Sequence, residues 1–119
     1  MSTAFSDLRV WRYAMDLAFE VYQSTRGFPR KETYGLTSQM RRAAVSIPSN
    51  IAEGRGRFSN KELLHFLFSA RESLLELETQ VILATRLGYL GPERSENLKR
   101  LVGDTAKMLN GLVNSFKAA

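Results

Sequence analysis

Positive charge is concentrated in one third of the chain. Residues 26–61 carry eight cations against only Glu32 and Glu53, a local net charge of +6, whereas the whole chain is +5. Residues 1–25 sum to −1, and residues 62–119 hold seven bases and seven acids. Because arginine and lysine neutralise phosphates, this stretch is the candidate nucleic-acid contact. Its cations are Arg26, Arg30, Lys31, Arg41, Arg42, Arg55, Arg57 and Lys61.

The most compact pattern within this stretch is the alternation of glycine and arginine over residues 54–57, followed by Phe58. A flexible basic loop beside an aromatic ring can bind phosphates while the ring stacks on a base. The same residues also suit a helix C-cap followed by a solvated loop, and Arg41 and Arg42 also suit a solvated helix face. The two interpretations differ in whether the cations share one exposed surface.

Catalytic chemistry has little support in the sequence. His65 is the only histidine, and no serine or cysteine nucleophile stands at a recognisable spacing from it. Glu72 and Glu76 lie four residues apart, but a carboxylate-bridged metal site also needs Glu-x-x-His pairs, which the sequence lacks. There is no cysteine for a zinc site and no GxxxxGK[ST] phosphate loop. We therefore expect a protein that is not an enzyme and that holds no metal or cofactor.

Length and composition favour a small globular protein. With 44% apolar residues in 119, the chain can bury one continuous core. We expect a single domain over residues 1–119, with residues 1–6 as candidates for disorder. No run of 18 apolar residues and no secretory signal pattern is present, so we expect a cytoplasmic protein without a membrane partner.

Apolar residues recur at helical spacing in four segments, which predicts an all-α, antiparallel, up-down-up-down four-helix bundle. The first helix should begin near Leu8 to Val10, with Ser6 or Asp7 as its cap, and end near Arg26. The second should begin between Tyr34 and Thr37.

The second helix contains a proline within its apolar pattern. Ile47 and Ile51 form one apolar row only if the helix continues, kinked, through Pro48. The alternative is that the helix stops at Ser46 and a short new one follows. We expect Gly54 to cap its C-terminal end, since glycine adopts the left-handed conformation without steric cost.

The third and fourth helices have clear boundaries. Ser59 and Glu62 form an S-x-x-E capping box, and the apolar pattern from there reaches Gly88 with a strict heptad, which predicts left-handed packing. Pro92 suits the first position of the fourth helix.

The third helix carries a second apolar row of Leu64, Phe68, Leu75 and Ile82. A bundle helix needs only one apolar stripe, so we expect this row to form an interface in a closed homo-oligomer. The alternative is that Trp11 and Tyr22 cover it within one subunit.

Several segments resemble a known family of four-helix-bundle proteins. These are residues 5–8, 10–11, 34–44, 46–54, 70–71, 73–74 and 76–78. They are similar to the proteins first noticed as open reading frames within intervening sequences of bacterial 23S ribosomal RNA genes. The likeness runs from Phe5 to about Leu90, and the segment around Pro48 is its most specific part. Glu72 stands where a glycine is common in the family.

The resemblance implies a homopentamer and a distant kinship with the accessory protein of diversity-generating retroelements, which partners a reverse transcriptase and nucleic acid. It implies no established activity. From residues and resemblance together we expect an oligomeric adaptor associated with RNA or DNA, with RNA preferred, and with a nucleic-acid-processing protein as a further partner. A protein-interaction scaffold that binds no nucleic acid is the alternative.

Overall fold

A computed structural model describes residues 8–117. The four predicted helices are present over this range as α1 (Arg9–Thr25), α2 (Leu36–Arg55), α3 (Asn60–Arg86) and α4 (Pro92–Lys117), with a 3-10 helix at Arg30–Glu32. The backbone of each helix lies close to that of the next, and α4 lies close to α1, whereas the described parts of α1 and α3, and of α2 and α4, lie diagonally across the bundle. The four-helix bundle is therefore confirmed, and its buried apolar side chains form one core.

The elongated bundle, 45 Å along its main axis, has two ends with different connections. We call the end that holds residues 26–35 and 87–91 the long-connection end, and the end that holds residues 56–59 the short-connection end. None of the helices within residues 8–117 is both long and apolar enough to span a membrane.

The cap predicted for α1 is wrong. Leu8 occupies the N-cap position with an extended backbone and makes no side-chain cap hydrogen bond. Arg12 N–H donates to the Leu8 carbonyl at 3.2 Å, a backbone hydrogen bond of the first helical turn. Ser6, Asp7 and the disorder expected for residues 1–6 lie outside the described residues.

The second helix continues through Pro48, and the alternative of a break at Ser46 is wrong. Ile47 and Ile51 are both 0% exposed, as one continuous apolar row requires. Asn50 supports the helix here, since its Nδ2 donates to the Ser46 carbonyl at 2.8 Å and to Ser46 Oγ at 2.9 Å.

Gly54 does not cap α2, contrary to the prediction. The C-cap is Gly56, whose φ of −84° needs no glycine-specific conformation. Gly54 lies buried inside the helix, where an added Cβ would stand 3.0 Å from Phe66 Cβ and 3.3 Å from the Leu63 carbonyl oxygen. Its missing side chain allows α2 and α3 to approach closely at the short-connection end.

The predicted start and end of α3 are confirmed. Ser59 is its N-cap, and Ser59 Oγ accepts from Glu62 N–H and donates to Glu62 Oε2, both at 3.2 Å. Gly88 follows the C-cap with a φ of +78°, the left-handed conformation that favours glycine. Its N–H donates to the Thr85 carbonyl and the N–H of Tyr89 to the Ala84 carbonyl, which is the Schellman pattern. Pro92 is the first residue of α4, as predicted.

The heptad on α3 faces the core as expected. All seven of its apolar residues are buried: Leu63, Leu67, Ala70, Leu74, Leu77, Val81 and Ala84. The left-handed packing inferred from this heptad stays a prediction.

Candidate nucleic-acid interface

The fold divides the eight candidate cations between the two ends of the bundle. Arg26, Arg30 and Lys31 lie in the long connection, and Arg41 and Arg42 lie in the second turn of α2. The other three cations lie near the short-connection end, where α2 ends and α3 begins: Arg55, Arg57 and Lys61. Fourteen residues of helix separate Arg41 from Arg55, about 21 Å at 1.5 Å per residue, so the eight side chains do not form one patch.

Arg41 joins the beginning of α2 to the end of α1. Its Nε donates to Thr25 Oγ1 at 2.9 Å, and its Nη2 donates to the Tyr22 carbonyl at 3.4 Å. Its guanidinium also stands over the Tyr22 ring, 4.5 Å from the centroid. A cation at a helix C-terminus is favoured by the helix dipole, so these contacts fix both the side chain and the pairing of the two helices.

The remaining cations of the long-connection end face solvent. Arg26 Nη1 donates to Gln23 Oε1 at 3.1 Å. Arg30, Lys31 and Arg42 are exposed, and the side chains of Arg30 and Arg42 make no hydrogen bond or ion pair with another residue of the described range. No residue of the range 8–117 therefore occupies the donors of these two guanidinium groups.

The single carboxylate of residues 26–42 is already occupied. Glu32 Oε1 accepts from Leu36 N–H at 3.1 Å, and Oε2 accepts from the Tyr89 hydroxyl at 2.8 Å. The Leu36 N–H, and after it the Tyr89 hydroxyl, hold the pKa of Glu32 below its ordinary value, while Glu32 raises the pKa of Tyr89. Tyr89 in turn packs against Phe28, with ring centroids 5.3 Å apart. Glu32 thus ties the long connection to the α3–α4 turn.

The cations of the short-connection end are more engaged within the protein. Arg57 stands 3.7 Å from Glu53 Oε2 and 4.6 Å from the centroid of the Phe66 ring. Arg55 is half-buried, and its buried Nε has no partner within residues 8–117. Lys61 is exposed. Phe58 is fully exposed, as a base-stacking ring would be, but Arg57 beside it is directed to Phe66 instead.

A cavity of about 530 Å³ opens at the start of α2. Two of its lining residues, Arg41 and Arg42, are cations predicted from the sequence, whereas its hydroxyl groups were not predicted. Three of these come from Thr33, Thr37 and Ser38. No motif marks these residues, because they converge only when the connection folds back against α2.

The residues weighed for catalysis do not form a site. His65 is exposed and makes an edge contact with Phe66, with ring centroids 5.5 Å apart. Glu72 is exposed, and Glu76 Oε2 accepts from Gln80 Nε2 at 3.4 Å. No group of three potential metal ligands occurs within residues 8–117.

The row predicted as an interface on α3 is only partly exposed. Leu75 is 61% exposed and Ile82 is also exposed. Leu64 and Phe68 are half-buried against the core, and the Phe68 ring is approached by Arg71 and Lys117.

Trp11 and Tyr22 line a groove between α1 and α2. Leu75 and Ile82 remain exposed in one subunit, so the alternative that this row is covered within the subunit is wrong for these two residues.

An apolar groove between α1 and α2 was not predicted from the sequence. It encloses about 640 Å³ and includes the exposed side chains of Met15, Phe19, Tyr22 and Val45. Phe19 is 62% exposed. The spacing of residues 15, 19 and 22 was available as a second apolar row on α1, but its exposure depends on how α2 packs.

Comparisons with known proteins agree with this geometry at the level of the fold. A crystal structure of a protein of unknown function from the S23 ribosomal protein family of Bacteroides thetaiotaomicron VPI-5482 superposes with a TM-score of 0.81. The two sequences are 20% identical, and the match covers 88% of this chain and 95% of the other. No curated protein matches the chain significantly. The model of the 23S rRNA-intervening sequence protein family matches residues 6–111, and neither comparison indicates an enzymatic family. The chain therefore belongs to the 23S rRNA-intervening sequence protein family.

Proposed function

We propose that the protein is a non-enzymatic, oligomeric adaptor that associates with nucleic acid, RNA in particular. The observation that carries the proposal is the charge distribution at the long-connection end. Residues 26–42 hold five cations against Glu32, and both oxygens of that carboxylate already accept hydrogen bonds. Five cations and one carboxylate leave this segment with a net charge of +4, which favours phosphates.

The oligomeric part of the proposal rests on two apolar surfaces on opposite sides of the bundle. The α1–α2 surface consists of Met15, Phe19, Tyr22 and Val45. The α3 surface consists of Leu75 and Ile82. In the bundle, α1 lies beside α2 and α3 lies beside α4. The α1–α2 surface therefore faces one side of the bundle, and a surface on α3 next to α4 faces the opposite side.

The α3 surface lies on the side of that helix next to α4. Arg71 Nη1 donates to Asn110 Oδ1 on α4 at 3.4 Å. Leu75 and Ile82 follow Arg71 by four and eleven residues, which places them on the same helix face.

Two different and opposite surfaces favour a head-to-tail contact between copies. Repeated by rotation, such a contact closes a ring, and the family resemblance suggests five subunits. Equivalent ends then lie at the same height along the ring axis, so every long-connection end contributes its cations to one rim. Several linked sites bind a strand more tightly than one site alone.

Binding of single-stranded RNA tests the proposal. We expect the fluorescence anisotropy of a labelled RNA to show binding at about 50 mM salt and much weaker binding at about 200 mM, since phosphate contacts release counterions. Arg30→Ala with Lys31→Ala should weaken binding, and Arg55→Ala with Arg57→Ala should weaken it less, because Arg57 is held by Glu53 and Phe66. The absence of binding at about 50 mM salt, or binding that ignores salt, would overturn the nucleic-acid role.

The apolar groove also supports a second candidate, a scaffold that binds only proteins. This function needs the assembly but not the cations. An intact oligomer that binds no RNA at about 50 mM salt favours the scaffold over the adaptor.

A further inference from the structure

The cavity at the start of α2 is lined by donors from three parts of the chain. Tyr22 comes from α1, Thr33 from the long connection, and Thr37, Ser38, Arg41 and Arg42 from the first two turns of α2. No carboxylate lines it. Val45 and Ser46 complete the lining, and much of its surface is apolar. Its arginine and hydroxyl groups form a cluster of donors that suits an anion.

The two arginines of the cavity differ in how firmly they are held. Arg41 is fixed by Thr25 and by the Tyr22 ring and carbonyl, yet its Nη1 group is not used in these hydrogen bonds. Arg42 is exposed and has no partner in the described structure. A fixed guanidinium loses little conformational entropy when it binds, and a free one can close on the ligand.

The number of donors matches a phosphate better than a carboxylate. Guanidinium groups can bind phosphate through two parallel hydrogen bonds, and hydroxyl groups supply further single donors. Thr37 and Ser38 are the second and third residues of α2, where the helix dipole also favours negative charge. The donors come from the long connection and from two helices, so they approach from several directions. The oxygens of a phosphate also point in several directions, whereas those of a carboxylate lie in one plane.

An aromatic ring stands next to this cavity in the chain. Tyr34 follows the lining residue Thr33 and is 96% exposed. A ring with both faces in solvent can stack on a nucleic-acid base, whereas a free phosphate ion gains nothing from it. The adjacent ring favours a nucleotide chain as the source of the phosphate.

We propose that this cavity binds one phosphate group of a single-stranded nucleic acid, with Arg42 closing on it and Tyr34 stacking on a neighbouring base. The inference rests on the proposed function and assigns it a defined subsite. The phosphate can be the terminal monoester of the strand or an internal diester, because both present oxygens to the same donors.

Binding of one short single-stranded RNA, labelled at its 3′ end, tests the subsite. The RNA is prepared with a 5′-phosphate and with a 5′-hydroxyl, and affinity is measured by anisotropy at about 50 mM salt. Arg42→Gln should weaken binding by about tenfold, since hydrogen bonds to charged groups contribute that much or more. Arg86→Gln is the matched control, because Arg86 is an exposed arginine at the same end of the bundle but lies on α3, outside the cavity.

The two RNA forms distinguish the two phosphate sources. If Arg42→Gln weakens only the 5′-phosphorylated RNA, the cavity binds a terminal phosphate, and if it weakens both equally, the cavity binds an internal one. Tyr34→Ala should weaken both forms. Equal losses of RNA affinity for Arg42→Gln and Arg86→Gln would show that only the overall charge matters. This result would overturn the proposed phosphate subsite but not the adaptor function. If wild-type protein binds neither RNA, the proposed function fails and the subsite with it.

Discussion

Glu32, the single carboxylate of a basic segment, stabilises the fold at the long-connection end. It caps the first N–H of α2 and accepts from the Tyr89 hydroxyl, so one carboxylate connects three parts of the long-connection end. Replacing it with glutamine keeps its size but removes the charge that strengthens both hydrogen bonds. We expect Glu32→Gln to be less stable than wild type at neutral pH, and Tyr89→Phe, which keeps the ring against Phe28, to lose part of the same stability.

The pH dependence of this difference follows from the lowered pKa of Glu32. A carboxyl group whose pKa is lower in the folded than in the unfolded state stabilises the protein above the unfolded pKa. The contribution is lost as the pH falls through the folded pKa. The stability gap between wild type and Glu32→Gln should therefore be steady near neutral pH and shrink below the ordinary value of 4.5. Urea unfolding at pH 7 and pH 3 checks this, and a gap that persists unchanged at pH 3 would show that the charge of Glu32 is not what stabilises the contact.

The different contacts of Arg41 and Arg42 could not be predicted from the sequence. They are adjacent and identical in type, and charge alone selected both as ligand contacts. The structure separates them, because the partners of Arg41 are Thr25 and Tyr22, sixteen and nineteen residues earlier in the chain. Such long-range partners cannot be read from spacing along one helix.

The close approach of α2 and α3 at the short-connection end depends on Gly54. Gly54→Ala would place a methyl group 3.0 Å from Phe66 Cβ and 3.3 Å from a backbone oxygen of α3, so these neighbours must shift by a few tenths of an ångström. We expect a loss of about 1–3 kcal/mol in the free energy of unfolding, typical of overpacking. Urea unfolding followed by circular dichroism measures it, with the subunit concentration held constant because assembly shifts apparent stability.

Gly103→Ala is the matched control for this prediction. Gly103 lies inside α4, and an added Cβ there meets nothing within 4 Å. The substitution should stabilise the protein by about 0.4–1 kcal/mol, because alanine restricts the unfolded chain and favours helix. A Gly54→Ala protein that gains stability as Gly103→Ala does would contradict the close contact.

The number and extent of the helices could be predicted, because each depends on local signals. Apolar spacing gave the four segments, the Ser59 and Glu62 pair marked the start of α3, and Gly88 marked its end. The errors at Gly54 and at the cap of α1 have a different origin. A buried glycine within a helix resembles a C-cap glycine in the sequence, because the sequence does not show the helix that packs against it. Leucine, the N-cap residue of α1, is not among the residue types that mark a helix start.

At the scale of the whole molecule, the antiparallel fold determines what the charged segment can do. A stretch that reads as one patch in the sequence becomes two groups, because α2 carries the chain from one end of the bundle to the other. Sequence identified the cations but not this separation. It likewise identified Leu75 and Ile82 but not the opposite surface around Phe19, because surface exposure depends on the packing of all four helices.

Assembly through two different surfaces predicts a specific result for variants. Phe19→Glu disrupts only the α1–α2 surface, and Leu75→Glu disrupts only the α3 surface, both at side chains more than half exposed. Each variant alone should be monomeric, since every contact in the ring uses one surface of each kind. Mixed together, they retain one intact pair of surfaces and should form a dimer. Lys107→Glu, at an exposed position on α4, is the control and should assemble like wild type.

The most direct test of the oligomeric adaptor is therefore the mass measured by light scattering after size exclusion. The account predicts a wild-type mass several times 13.5 kDa, monomers of 13.5 kDa for Phe19→Glu and for Leu75→Glu, and a dimer in their equimolar mixture. A wild-type protein that is strictly monomeric at micromolar concentration would contradict it.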